Sequence, residues 1–211
     1  MQSPYTAESA IEYVVNFHPE LSTIIPIIHF ADDAHKGQTR KNAKASPYIS
    51  HPIDVFFILL NAGIRDFETL SAALLHDTVE DTNVKLTDIT EKFGKKISDI
   101  VAECSDNKTL SKIQRKRDQI THVQCASTEA KLVKIADKLS NLSDLNLSPP
   151  VGWDKKYIKG YFVWSYAVCK NAMGLNAKLD EELIKMFEPE GLIGISEGNL
   201  NKKLEEYYKL C

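Results

Sequence analysis

Residues 76–81 read His-Asp-Thr-Val-Glu-Asp, one imidazole and three carboxylates packed into fewer than two helical turns. Side chains of these types hold divalent cations and move protons. On a 3.6-residue repeat, His76 shares a side with Glu80, and Asp77 shares one with both Glu80 and Asp81, so the polar groups can converge. Three crowded carboxylates repel one another unless a cation or basic substrate groups offset the charge, and acids at a helix C-terminus also oppose the macrodipole. A second constellation lies downstream, where Asp137 and Asn141 stand four apart on one helical face with Lys134 and Lys138 alongside. With His51, which directly precedes Pro52, these positions supply two imidazoles (His51, His76) and two carboxylates (Asp77, Asp137). Such a mixed nitrogen and oxygen set suits a divalent transition metal, with remaining positions for water and a substrate oxygen.

The elements that must position these groups read as helices. No series of alternating strands with hairpin turns appears, and the expectation is an all-α, single-domain helical bundle. A short leading helix spans 7–17, and a second runs from Pro26 to His35 with Gly37 as its stop. Pro52 starts a third, Ile53 to Ala62, ended by Gly63, which puts His51 at a helix N-terminus. Asp66 caps the amphipathic run whose end is the 76–81 hexapeptide. Thr87 is expected to cap Asp88 to Phe93, Gly94 to break the chain, and Ile97, Ile100 and Val101 to form the next apolar stripe. Asp106 and Asn107 signal a turn before a helix over 111–122. Ser127 or Thr128 caps a helix reaching Leu145, with Val133, Ala136, Leu139 and Leu142 inward. Helices over 154–173 and 178–188 complete the bundle, and Gly191, Gly194 and Gly198 loosen the path to a charged C-terminal segment.

Composition narrows the class. An apolar content of 43% over 211 residues builds a sizeable core. The cysteines at 104, 125, 169 and 211 form no CxxC pair, which predicts reduced thiols in a cytoplasmic protein. No basic start with an apolar stretch opens the chain, and no apolar run approaches the roughly 20 residues a bilayer requires, so neither export nor a membrane role is expected. A net charge of −3 does not favour nucleic-acid binding, yet the charge is uneven. Lys36, Arg40, Lys41 and Lys44 cluster before His51, and Lys108, Lys112, Arg115, Lys116 and Arg117 form a stretch without an acid between them. Taken alone, such runs are solvated surface. Trp153, Trp164 and Tyr166 read as core aromatics, and His29 and His35 as packing or surface residues.

The order His … His-Asp … Asp resembles the HD-domain metal-dependent phosphohydrolases. Four blocks narrow the match: Arg40-Lys41 ahead of Pro47 to Pro52 (PYISHP), Ala72 to Asp81 (AALLHDTVED), Asp106 to Arg117 (DNKTLSKIQRKR) and Ala130 to Leu142 (AKLVKIADKLSNL). They look like the hydrolase domain of Rel/Spo proteins, and the single-domain length looks most like the metazoan SpoT-homologue branch. The resemblance covers residues 24–195 and leaves 1–23 and 196–211 as flanking segments. It implies that His51, His76, Asp77 and Asp137 are metal ligands, usually for manganese, although iron and zinc accept such ligands too. It implies that Glu80 and Asp81 are the catalytic carboxylates, with the base left open between them, and that Arg40, Lys41, Asn141 and Tyr161 contact substrate. Ser143 stands where many relatives carry an arginine, which removes one phosphate grip.

The reaction so implied removes the 3′-pyrophosphate from guanosine tetra- or pentaphosphate, the stringent-response alarmones, to give GDP or GTP. The same resemblance admits a related enzyme that removes the ribose phosphate of NADPH, and a non-catalytic nucleotide sensor is the rival from another class. The expected partner is a small nucleotide, with a homo-oligomer as a further expectation.

Overall fold

The chain's helices begin where side chains can take up the orphan N–H groups of a first turn. A computed structural model describes residues 6–41 and 45–211; Lys44, one of the basic cluster, lies outside them. Thr6, Asp66, Ser111, Ser127, Asp154, Asn176 and Ser196 each accept a backbone N–H in the helix that follows. The order is α1 (Ala7–Phe17), a 3₁₀ turn (Pro19–Ile24), α2 (Ile25–Ala34), α3 (Ser50–Asn61), α4 (Phe67–Leu75) and α5 (Thr78–Asp81). There follow α6 (Leu86–Phe93), α7 (Lys95–Cys104), α8 (Lys112–Cys125), α9 (Thr128–Leu147), α10 (Lys155–Cys169), α11 (Ala177–Phe187) and α12 (Glu197–Tyr208). The fold is all-α and a single domain, and among the described residues the extended pairing is a lone bridge between Thr39 and Pro47.

Helix α9 is the axis of the bundle. Ala130, Val133, Ala136, Leu139 and Leu142 are buried along it, and it packs against α3, α4, α7, α8, α10 and α11. Fully buried Phe56, Leu59, Leu60, Leu70, Leu74 and Leu75 from α3 and α4 fill the space beside it. Gly63, at φ +91°, ends α3 in a left-handed turn: its N–H reaches the Leu60 carbonyl and the Ile64 N–H reaches Leu59.

Three expectations need correction. Helix α3 begins at Ser50, so His51 lies inside its first turn. Pro52 is tolerated there because first-turn N–H groups have no intrahelical acceptor. The helix carrying the hexapeptide is broken at His76-Asp77, with a separate turn of helix over Thr78–Asp81. The break follows from side chains capturing terminal carbonyls, His76 Nδ1 at 2.8 Å from Ala73 O and Thr78 Oγ1 at 2.7 Å from Leu75 O. Glu80 and Asp81 therefore do not end a long helix, and the macrodipole argument lapses. Lys85, not Thr87, is the N-cap residue of α6, where the Asp88 carboxylate accepts the Lys85 N–H. The segment after 196, for which the sequence leaves an extra packed helix and an oligomer contact open, is a packed helix: Leu200, Leu204, Tyr207 and Tyr208 form a buried stripe against α10, and Gly198 is accommodated in its first turn.

Candidate metal centre and nucleotide cleft

Three parts of the chain bring the candidate ligands together. His51 comes from the first turn of α3, His76 and Asp77 from the break after α4, and Asp137 from the middle of α9. Ligand atoms of His51, His76 and Asp77 all lie within 4.8 Å of one another. Asp137 Oδ1 is 3.3 Å from His51 Nε2 and 3.9 Å from His76 Nε2, and Asp77 Oδ2 is 3.6 Å and 3.3 Å from the same two nitrogens. Both imidazoles are held from behind, His51 Nδ1 by Ser140 Oγ at 3.0 Å and His76 Nδ1 by the Ala73 carbonyl. Backing of this kind fixes ring orientation and points each Nε2 inward.

The pocket fits a divalent ion. His76 Nε2 is buried without a hydrogen-bond partner, an unpaired acceptor aimed among two carboxylates and a second imidazole. Burial raises the cost of ionising Asp77, but the neighbouring imidazoles outweigh it and hold the carboxyl below its ordinary range. Burial likewise opposes the charge on Asp137, and the Lys138 ammonium at 3.0 Å overrides it. Burial also lowers the proton affinity of His51, with Arg40 adding to the effect, which favours the neutral imidazole a metal requires. The Asn141 amide donates to Asp137 Oδ1 at 2.6 Å.

The acidic pair sits beside this nest. Tyr48 supplies the link: its hydroxyl is 2.7 Å from Asp77 Oδ2 and 3.3 Å from Asp81 Oδ2. Glu80 Oε2 accepts the Asp106 N–H at 3.1 Å, and Lys108 Nζ lies 3.4 Å from Glu80 and 2.9 Å from Asp81. Burial, with the Asp106 carboxylate adding to it, raises the Glu80 carboxyl above its ordinary value.

A cavity of about 260 Å³ opens next to Tyr48 and Asp81, and Arg40, Lys41, Asn141 and Tyr161 all line it. Arg40 is anchored there, with Nη2 at 3.1 Å from Asn141 Oδ1 and 2.7 Å from Asp144 Oδ2. Trp153 is half-buried in the wall of this cavity and is not a core residue, whereas Trp164 is. The basic stretch is also not a plain solvated surface. Lys108 pairs with the acidic pair, Arg115 lies 3.8 Å from Asp106, Arg117 binds Glu205, and Lys116 is buried.

Sequence reasoning passed over Tyr48, Lys108, Asp144 and Ser140 as individual site residues. Asp144 had a readable signal, since it follows Asp137 by seven and Asn141 by three on one helix face.

An HD-domain family model matches residues 28–157. A guanosine-3′,5′-bis(diphosphate) 3′-pyrophosphohydrolase MESH1 from Mus musculus is 45% identical over 174 residues, covering 82% of this chain and 97% of that protein. The bifunctional (p)ppGpp synthase/hydrolase SpoT of Escherichia coli is 32% identical over 154 residues, 69% of this chain but 22% of its own length. A solved structure described as "A metazoan ortholog of SpoT hydrolyzes ppGpp and plays a role in starvation responses" superposes with a TM-score of 0.78 at 41% identity, covering 81% of this chain and 97% of that one. With an HD-domain match over residues 28–157 and similarity that spans 97% of the MESH1 protein, the chain belongs to the HD-domain family, in the branch that contains the MESH1 proteins.

Proposed function

We propose that this protein is a guanosine-3′,5′-bis(diphosphate) 3′-pyrophosphohydrolase, acting on free nucleotide in the cytoplasm with one bound manganese ion. The observation that carries the reading is the cluster of buried His51, His76 and Asp137 with half-buried Asp77, with an unpartnered imidazole nitrogen, next to an acidic pair and a cavity rimmed by Arg40 and Lys41. The hydrolase body is 24–195, and 1–23 and 196–211 flank it.

Water adds to the phosphorus on ribose O3′, the O3′–P bond breaks, and GDP departs with a 3′-hydroxyl as pyrophosphate is released. His51, His76, Asp77 and Asp137 would hold the divalent ion, which when bound would supply Lewis-acid polarisation of the phosphoryl group and lower the pKa of water. Glu80 takes the water's proton, since burial and the Asp106 carboxylate raise its carboxyl above the ordinary value. Asp81, fixed between Lys108 Nζ and the Tyr48 hydroxyl, orients the water. Tyr48 donates to Asp77 and thereby locks the ligand carboxylate to the same frame. Arg40, held by Asn141 and Asp144, presents a fixed guanidinium along the nucleoside cavity, and Lys41 offsets phosphate charge. Tyr161 and Trp153 supply the aromatic wall.

The test is a substrate panel with product identification. Purified manganese-loaded protein is expected to convert ppGpp and pppGpp faster than it releases orthophosphate from NADPH; preference for NADPH would reassign the substrate while leaving the site in place.

A further inference from the structure

A second cleft of about 540 Å³ continues from the nucleoside cavity, sharing Lys41, Trp153 and Tyr161 with it. Its other walls include Lys112, Lys116 and Leu210, the last from the turn after α12. Three ammonium groups thus face one space, and among the described residues no carboxylate lies in ion-pair range of any of them. The cleft's own acid, Asp154, is engaged as the N-cap of α10. Lys112 Nζ instead donates to the Tyr157 hydroxyl at 2.9 Å.

Lys116 is held by aromatic faces. Its Nζ lies 3.5 Å from the Trp164 ring centre, 5.0 Å from that of Tyr207 and 5.1 Å from that of Tyr161. The Trp164 indole fixes the backbone beneath it by donating to the Lys116 carbonyl at 2.8 Å. The same Trp164 ring faces Lys138 Nζ at 4.5 Å, and Lys138 is the ion-pair partner of Asp137. Burial, with Lys138 adding to it, pushes the Lys116 ammonium down to about 7, as expected of a cation that lacks a counter-ion.

Tyr207 reaches this cage because α10 leaves room for it. Gly160 sits in mid-helix, where glycine costs about 1 kcal/mol relative to alanine, and a Cβ there would lie 2.2 Å from Tyr207 Cδ2. The missing side chain is the seat of the Tyr207 ring. Arg117 with Glu205, and Lys170 with Glu197, tie the two ends of α12 to the body.

We propose that Lys41, Lys112 and Lys116, backed by α12 through Tyr207 on Gly160, form a second phosphate subsite that binds the 5′-phosphates which stay on the nucleotide. This rests on the proposed function, since a nucleotide with phosphate at both ends would place one end at the metal nest and the other here. Helix α12 lies outside residues 28–157, the span that the HD-domain family model matches, and closes one side of the subsite. Lys112 and Lys116 bind phosphate; Tyr207 and Gly160 are positioning residues.

The test uses equilibrium binding of GDP and of guanosine to the full-length protein, measured by calorimetry and independent of turnover. A charge-assisted contact contributes about 1.5–3 kcal/mol, so GDP is expected to bind at least ~10-fold more tightly than guanosine. Lys112→Met and Lys116→Met should each lower GDP affinity ~10-fold and leave guanosine binding unchanged. Gly160→Ala should do the same by displacing Tyr207, and Tyr207→Phe, which keeps the ring, should retain the wild-type ratio. Lys112 is exposed, so its variant reports even if a substitution at the buried positions unfolds the protein. Equal affinity of the wild type for GDP and guanosine, or an unchanged ratio in Lys112→Met, would overturn the subsite. Absence of ppGpp turnover alongside a preserved GDP preference would instead count against the hydrolase reading alone.

Discussion

The two ends of the cleft are built from opposite materials. At the metal nest, imidazoles and carboxylates from α3, the α4–α5 break and α9 crowd together, and each has a second partner: Ser140 behind His51, the Ala73 carbonyl behind His76, Tyr48 on Asp77 and Lys138 on Asp137. At the far end, the Lys116 ammonium rests on ring faces and that of Lys112 on a tyrosine hydroxyl, and among the described residues no carboxylate pairs with either. One end gathers side chains of the kinds that ligate a cation, and the other gathers lysines. The lesson is that polar clusters of opposite character, joined by one aromatic wall, are the arrangement that the proposed ligand with phosphates at two ends requires.

The comparison breaks most completely at the nest. Asp77→Asn is expected to abolish retained metal and lower ppGpp turnover by at least ~10³-fold, since it replaces an anionic ligand, the one to which Tyr48 donates, with a neutral amide; metal analysis of the purified variant checks it. Glu80→Gln should keep the metal and lose ~10²–10⁴ in kcat, the range for a positioned proton acceptor. A variant that lost metal as well would show Glu80 to be part of the nest. Ser140→Ala removes only the support of His51 and should weaken metal affinity ~10–100-fold with kcat retained at saturating metal. At the far end the effects are smaller. Gly160→Ala should leave metal content and kcat unchanged and raise KM for ppGpp about 10-fold, matching the loss of a single charged contact.

How far the sequence disclosed these regions follows from the range of the interactions. The four candidate positions that the fold brings together were legible because each sits in a short block with its own spacing, and the helices were legible through local caps such as Asp66, Ser111 and Ser127. The break at His76-Asp77 was not, because it depends on His76 and Thr78 turning back to carbonyls that an unbroken helix would share with backbone N–H groups. The lysine cage was the least legible. Lys116 reads as one charge in a basic run, and its partners Trp164 and Tyr207 are far away in the chain. Gly198 suggested loose chain, yet Leu200, Leu204, Tyr207 and Tyr208 carry a helical stripe, and Gly160 makes sense only once Tyr207 is seated against it.

The most direct measurement is product stoichiometry on defined substrate. Manganese-loaded protein given ppGpp should release GDP and pyrophosphate in equal amounts, with both lost in Asp77→Asn. Intact ppGpp after incubation with the loaded wild type, or equal turnover by Asp77→Asn, would contradict the claim that this buried cluster and its acidic pair cleave the 3′-pyrophosphate.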